Sequence, residues 1–504
     1  MKLFKSIILT SAFLASLSSC DMEKYPYDKI PVDNAIQSVE DCEKLRNGMY
    51  RDLRIISFAA NSLSSDFQAD QFIPASYYGG QYSGQYRWDA TSADDAFSTV
   101  WGNSYVTIAQ CNLLIEGCSK LLNENAFDKE DAEESKATLK NILGEAYMVR
   151  AFAYAMLADR FCVNYDATTA ETAYGVPLVT EYRPTSDNSK YPGRETLANT
   201  YKRIKEDISL ARENLTTEGQ RSSIYLTVDA LDAFEARIAL LTKDYDTAIS
   251  KAEALVSAGK YPLIAQQTEF NAMWKNDVTT EVICQLYASK LEPASPMGGD
   301  FLDEINHKPR FLPSQDLIDL YSENDIRKAA FFADEDVAFS EGNIKTMKVF
   351  YKYPGNPEFN DGANKYINKP NLFRIAEQYL IAAEAYCMKG GSANEAKAYD
   401  ILFKLMSARD NTLQKANPAP IGTQLRDLIR AERQKELVGE GFRLTDLKRY
   451  GEGFKRQKSQ DDANSYQIAL NLEISADNNR WVWAIPQSEM EANPQLKGQQ
   501  NPGY

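Results

Sequence analysis

The sequence holds one histidine, His307. Histidine-rich zinc sites are thereby excluded, and a Ser-His-Asp triad would have to use that single residue. A lone loop histidine is solvated by default. Cysteine is sparse as well: Cys20, Cys42, Cys111, Cys118, Cys162, Cys284 and Cys387 show no CxxC spacing. Cys42, Cys111 and Cys118 fall on or beside apolar helical stripes, which points to buried free thiols. The odd count leaves Cys20 for a separate task. Positive charge is in deficit, with 56 Lys and Arg against 71 Asp and Glu and a net charge of −15. That argues against a nucleic-acid groove and a polybasic membrane surface. No cofactor motif or metal-ligand cluster stands out. The 504 residues suggest about three domains by length alone. No long Gly/Ser/Pro linker divides them, so one large helical unit with subparts is expected.

What is present begins at the N-terminus. Lys2 and Lys5 precede an apolar run from Ile7 to Leu17, then Ser18, Ser19 and Cys20. A basic start, a short apolar stretch and small residues before the cut make a secretory signal. The run is too short for a permanent membrane span, and no later segment is long and apolar enough. Leu17-Ser18-Ser19-Cys20 resembles a bacterial lipobox, which implies that Cys20 becomes the acylated first residue. Several acyl chains, at about 0.8 kcal/mol per buried CH₂, anchor stably where one does not. Residues 21–33 carry Pro26 and Pro31 without apolar periodicity and read as an extended tether.

Helical spacing dominates the body. Ser38-Val39-Glu40-Asp41 is a capping-box start, followed by a stripe of Cys42, Leu45, Met49, Leu53 and Ile56. A second helix opens at Ser92–Asp95 and places Trp101 on its apolar face. Residues 144–161 are apolar nearly all round and rich in alanine, as a buried helix is. Residues 196–215 form another helix. Residues 227–263 and 373–409 are helix-turn-helix units in which small residues face large ones, like tetratricopeptide pairs. Such pairs bury their faces only by stacking. Val282–Leu286 and the alternating Met347, Val349, Tyr351 and Tyr353 are strand candidates. Trp481, Trp483 and Ile485 also alternate and are expected to face the core. Trp274 is expected to be packed. The expected fold class is mainly α: a tetratricopeptide-like helical-pair scaffold with long loops and a few short strands.

Residues 61–90 read as a loop. It carries Tyr77, Tyr78, Tyr82, Tyr86 and Trp88, interleaved with Gly79, Gly80 and Gly84. The glycines break regular structure, and the aromatics follow no helical stripe. Tyr and Trp combine a flat apolar face with a polar handle, which suits a sugar ring. The same aromatics serve equally to pin the loop to the body, and some of each is expected. Asp66, Gln71 and Arg87 are candidates for hydrogen bonds to sugar hydroxyls. Phe301, in the Pro/Gly-containing loop 288–313, is a candidate to complete the platform.

Near the C-terminus, residues 425–451 read LRDLIRAERQKELVGEGFRLTDLKRYG. The stripe of Leu425, Leu428, Ile429 and Leu437 continues onto Glu432, Arg433 and Glu436. Charges on an inward face need partners, and Arg430, Arg433, Arg443 and Asp446 are near in sequence. The expectation is a structural ion network of Glu432, Arg433, Glu436, Arg443 and Asp446, rather than a catalytic carboxylate pair. Glu377 and Glu384 are read the same way.

The stretch ERQKELVGEGFRLTDLKRYG resembles the C-terminal hallmark of the SusD/RagB family of outer-membrane nutrient-binding lipoproteins. WGNSYVTIAQCNLLIEG, the AxxxRAxxYxxLxxxF segment with its G-x-P-L turn, and the IPxxE…QNPGY terminus are similar in the same order. The resemblance implies an acylated, surface-exposed protein that binds oligosaccharides and delivers them to a SusC-like TonB-dependent transporter. The RagB side of the family implies peptides or glycoprotein fragments as an alternative. A glycoside hydrolase, with two carboxylates, is a third class, but no acidic pair shows a motif. The expected organisation is a signal peptide at 1–19, a lipidated tether at 20–33, a SusD-like N-terminal part at 34–225 and a C-terminal part at 226–504.

Overall fold

Ser38 accepts the Asp41 N–H at 3.2 Å and starts the first helix, α1 (Val39–Ser57), as its capping box requires. A computed structural model describes residues 35–126, 131–303, 305–360, 362 and 365–504. The expected signal peptide, Cys20 and the tether lie outside them. Next come α2 (Ala60–Gln68) and strand β1 (Phe72–Pro74). The long neighbouring helices α3 (Asp95–Glu124) and α4 (Ala132–Phe161) follow, then α5 (Leu197–Asn214). Thr227 and Asp244 cap α6 (Val228–Leu241) and α7 (Tyr245–Ser257). The central region supplies β2 (Val282–Gln285), β3 (Phe311–Pro313), β4 (Phe332–Ser340), β5 (Asn343–Phe350) and β6 (Asn371–Arg374). The chain finishes with α8 (Ile375–Lys389), α9 (Ser392–Arg409), α10 (Gly422–Glu436) and α11 (Arg443–Tyr450), followed by mostly irregular chain.

The helices stack in sequence, α3 on α4, α4 on α5, α5 on α6, α6 on α7, then α7 on α8 and α8 on both α9 and α10. Alanines make the close approaches: Ala236, Ala248, Ala252, Ala376, Ala382 and Ala383 are fully buried against Leu380, Leu402, Leu405 and Leu425. Each buried leucine contributes roughly 1.5–3 kcal/mol, and neither helix of a pair has enough partners without the next. This is the tetratricopeptide-like scaffold that the small-against-large pattern implied. Charge also crosses the stack. Arg150 of α4 donates to Asp207 of α5 at 2.7 and 2.8 Å and to Asn112 of α3 at 2.7 Å.

Strands occur only in two-stranded antiparallel pairs among the described residues. β1 pairs with β3, β2 with β6, and β4 with β5 as a hairpin. Trp481, Trp483 and Ile485 are buried without belonging to a strand. The C-terminal segment is held by Asn501, whose Nδ2 donates to the carbonyls of Phe161 and Trp483 at 2.9 and 2.7 Å. Arg194 in turn donates to Asn501 Oδ1 at 2.8 Å.

One expectation is corrected here. Residues 61–90 are not a continuous loop, because α2 occupies the first part. Its polar residues Asn61, Ser62, Ser64, Ser65, Asp66 and Gln68 are all buried. Only Leu63 and Phe67 give it an apolar face, while Ser65, Asp66 and Gln68 bond to Arg160, Gly441 and Arg480.

Candidate functional site

Two clusters stand out, one sealed and one open. The sealed cluster is built on Glu436 at the end of α10. Its carboxylate accepts from Arg327 at 3.0 Å, Arg374 at 2.9 Å and Arg409 at 2.9 and 3.0 Å. Arg409 also grips Glu281 at 2.7 and 2.8 Å. Arg374 and Lys352 share Glu440, and Glu432 lies 2.7 Å from Arg327 and 2.6 Å from Lys435. The three guanidiniums hold the Glu436 carboxyl well below the usual carboxylate range. Burial brings the Lys352 ammonium down to about 8.

Apart from Arg433–Asp446, an expected pairing, the partners differ from those expected nearby in sequence. Arg430 pairs with Glu452 at the surface, and Arg443 with Asp70 at 2.7 and 2.8 Å. Arg433 reaches Asp446 at 2.8 Å, and Arg449 pairs with Asp446 and Glu384. Glu377 pairs with Arg237 at 2.7 Å. Glu436 is wholly inaccessible and its oxygens are fully engaged, so no substrate reaches it in this conformation and no proton is available from it near neutral pH.

The turn between α10 and α11 explains the two glycines that flank Glu440. Gly439 and Gly441 have φ of 73° and 83°. A Cβ on Gly441 would meet Ser62 of α2 at 2.8 Å, and one on Gly439 would meet the Phe350 ring at 2.7 Å. Asp66 of α2 accepts the Gly441 N–H at 2.8 Å, and its burial pushes the carboxyl up to about 7.

The open cluster is a cleft of about 670 Å³. Its walls come from the end of α1, the start of α2, the exposed side of α3, residues 295–303, Ile305, Arg310, Gly362, Lys365 and Tyr366. Tyr82 stands in it, half-buried, with a φ of 55°. A left-handed tyrosine is strained by roughly 1–3 kcal/mol and persists where surrounding structure imposes it. Here the Phe67 ring backs it at 5.0 Å. Phe67 belongs to an aromatic floor with Phe72, Phe301, Phe311 and Phe350. Tyr366, also half-buried with a φ of 62°, lines the cleft and lies over Gly298. Asp300, Asp303, Arg310 and Lys365 supply the charges. Burial pushes the Asp300 carboxyl up to about 6, with Arg310 opposing the shift. Arg310 donates to Gln81 at 3.2 Å. The cleft thus offers aromatic faces beside an acceptor and a donor, and its volume is that of an ordinary small-ligand site.

The nine residues that the sequence marks as ligand contacts separate in the fold. Tyr82 lines the cleft. Tyr77 is 64% exposed, and Arg87 is half-buried, paired with Asp89 and within 3.4 Å of the Tyr466 hydroxyl. The others are corrected as surface contacts, because the core takes them. Trp88 donates to the Gln68 carbonyl at 2.7 Å and packs edge-on against Trp481. Tyr86 lies under Arg456 at 4.1 Å, Tyr78 packs on Phe311 and Tyr466, and Phe301 is part of the floor. Asp66 and Gln71 are fully buried. Asp300, Arg310 and Tyr366 escape sequence reasoning. The nearest signal is loop 288–313, of which only Phe301 is singled out by its aromatic character; Tyr366 lies in a segment without periodicity.

A family model described as "SusD family" matches residues 327–504, and one described as "starch-binding associating with outer membrane" matches residues 22–240. The chain belongs to the SusD/RagB family. A SusD-like protein of Formosa agariphila is 23% identical, over 89% of this chain and 92% of its own length. The fold is similar to a SusD superfamily protein of Bacteroides thetaiotaomicron, with a TM-score of 0.77 and 26% identity. That match covers 92% of this chain and 100% of the other. Surface glycan-binding protein A of Bacteroides fluxus superposes with a TM-score of 0.70 at 20% identity, over 92% of this chain and 99% of its own. As in those family members, the scaffold is mainly helical with few short strands. Among the described residues no helix is long and apolar enough to cross a membrane.

Proposed function

We propose that the protein is a lipid-anchored, cell-surface component of the outer membrane. It binds oligosaccharide in the Tyr82 cleft and passes it to a SusC-like TonB-dependent transporter. The observation that carries the reading is Tyr82 itself. A tyrosine in a strained left-handed conformation, backed by an aromatic floor, opens onto a cleft beside Asp300 and Arg310. The apolar face of a sugar ring stacks on such a tyrosine while its hydroxyls meet the carboxylate and guanidinium. The family's description as starch-binding and outer-membrane-associated supports the ligand class and the location. The lipobox-like Leu17–Cys20 supports the anchor.

Binding is modest and without hydrolysis. A stacking contact contributes roughly 0.5–1.5 kcal/mol, and a millimolar Kd corresponds to about 4 kcal/mol. A few such contacts suffice where tethering beside a transporter keeps the effective concentration high. The test is calorimetry and affinity electrophoresis against plant, host and microbial polysaccharides and against peptides, with Tyr82→Ala and Asp300→Asn alongside. Glycan binding lost in both variants, with helicity intact, supports the cleft. Binding confined to peptides replaces the ligand class, and glycan binding unchanged in both variants removes the site. Co-purification with the transporter, abolished by Cys20→Ala in cells, tests the anchor and the hand-over.

A further inference from the structure

The cleft does not end at Tyr82. Beyond the ring it continues into a second compartment of about 410 Å³. Ala60, Asn61, Tyr82 and Thr99 line both compartments, so Tyr82 is a ridge between them rather than an end wall. A drug-sized ligand occupies a site of roughly 300–1,000 Å³, and each compartment alone falls within that range.

Polar side chains contribute to the second compartment. Gln81, Ser83, Gln85, Asp94 and Asp95 line it. Gln85 is held by Asp94 at 2.6 Å, and Asp94 caps α3 by accepting the Ala96 N–H at 3.0 Å. Gly84 makes this packing possible, since a Cβ there would meet Asp94 Oδ2 at 2.8 Å. The walls are therefore fixed before any ligand arrives.

The charge along the groove is unequal. Described lining residues include Asp94, Asp95, Asp300 and Asp303 against Arg310 and Lys365. Arg310 already donates to Gln81 and lies 3.9 Å from Asp303. A carboxylated or sulfated sugar laid along this groove meets unbalanced like charge in the second compartment, where Asp94 and Asp95 face no lining cation, which disfavours it. Neutral hydroxyls instead donate to the same carboxylates.

We infer that the groove takes an uncharged glycan chain several sugars long, lying across Tyr82 into the second compartment, and discriminates against carboxylated and sulfated glycans. This rests on the reading of the cleft as a glycan site.

The experiment is an array of neutral, uronate-containing and sulfated oligosaccharides from disaccharide to octasaccharide. The full chain is screened and each bound series is followed by calorimetry. The expected result is that bound members are neutral and that affinity tightens by about tenfold between the disaccharide and hexasaccharide of one linkage. Ala96→Trp, which intrudes only on the second compartment, flattens that length dependence. Asp95→Lys, at an exposed position, admits uronate-containing chains. Tightest binding to charged glycans overturns the inference, as does affinity independent of length or unaltered by Ala96→Trp. No glycan bound at all overturns the glycan reading of the cleft and this inference with it. Circular dichroism of both variants separates lost binding from lost fold.

Discussion

Asp66 Oδ2 accepts the backbone N–H of Gly441 at 2.8 Å across 375 residues of sequence. Helix α2, which begins at the rim of the cleft, is thereby fixed to the turn after α10, beside the sealed ion network. The Arg443–Asp70 pair repeats the connection at 2.7 Å. The C-terminal signature segment therefore supports the wall of the cleft.

Asp66 makes stability depend on pH. Its folded value of about 7 lies above the ordinary 3.8. Between these values the folded chain binds more protons than the unfolded chain. The Asp66 contribution therefore falls as pH rises through that window, by on the order of 4 kcal/mol in full. Asp66→Asn removes the titration and keeps an oxygen for Gly441. Thermal unfolding at about pH 5 and about pH 7.5 is expected to show a smaller loss of midpoint in the variant than in the wild type. Equal losses mean that Asp66 is ionised throughout.

Glu436→Gln leaves Arg327, Arg374 and Arg409 without their shared carboxylate. Removing one partner of a buried pair costs about 3–5 kcal/mol. Urea unfolding is expected to show that loss as an earlier midpoint. A variant as stable as wild type, coupled with loss of a glycan-hydrolysing activity, gives Glu436 a catalytic role instead.

Tyr82 and Trp88 separate binding from packing. Tyr82→Ala is expected to weaken glycan binding at least about tenfold, the effect of roughly 1.4 kcal/mol, with little change in unfolding midpoint. Trp88→Ala removes a 6%-exposed ring packed on Trp481 and Phe454. It is expected to cost about 3–5 kcal/mol of stability. Calorimetric binding and thermal unfolding of the two variants, measured side by side, check the division. The reverse pattern moves the ligand to the Trp88 side.

Asp300 adds a pH dependence to binding. With a value of about 6, it is mostly protonated at about pH 5 and mostly ionised at about pH 7.5, and only the carboxylate form accepts at both oxygens. Glycan affinity is expected to rise across that interval in the wild type and to stay flat in Asp300→Asn. A wild-type profile that is flat removes Asp300 from the ligand contacts.

The helical scaffold was legible because its information is local. Ser38, Thr196 and Thr227 each cap the helix that begins beside them, and the alternation of small and large residues marked the stacked pairs. Helix α2 was not legible, because it is mostly polar and Ser65, Asp66 and Gln68 are buried by remote partners. The aromatic loop was legible as a group, but nothing in it ranks its members. Tyr82 and Trp88 are close in sequence and equally aromatic, yet one faces the cleft and the other Trp481.

Sequence alone determined the helical-pair architecture, the family, and the presence of paired charges in the hallmark segment. Periodicity, caps and motif spacing are short-range properties of the chain. Only the tertiary structure decided which charges meet and which aromatics face solvent. Arg327, Arg374 and Arg409 reach Glu436 from 109, 62 and 27 residues away. Tyr82 is exposed to the cleft because Phe67 and Phe311 fill the space behind it. Such pairings depend on how separate elements pack, and burial in a shared core has no periodicity along one segment from which to read it.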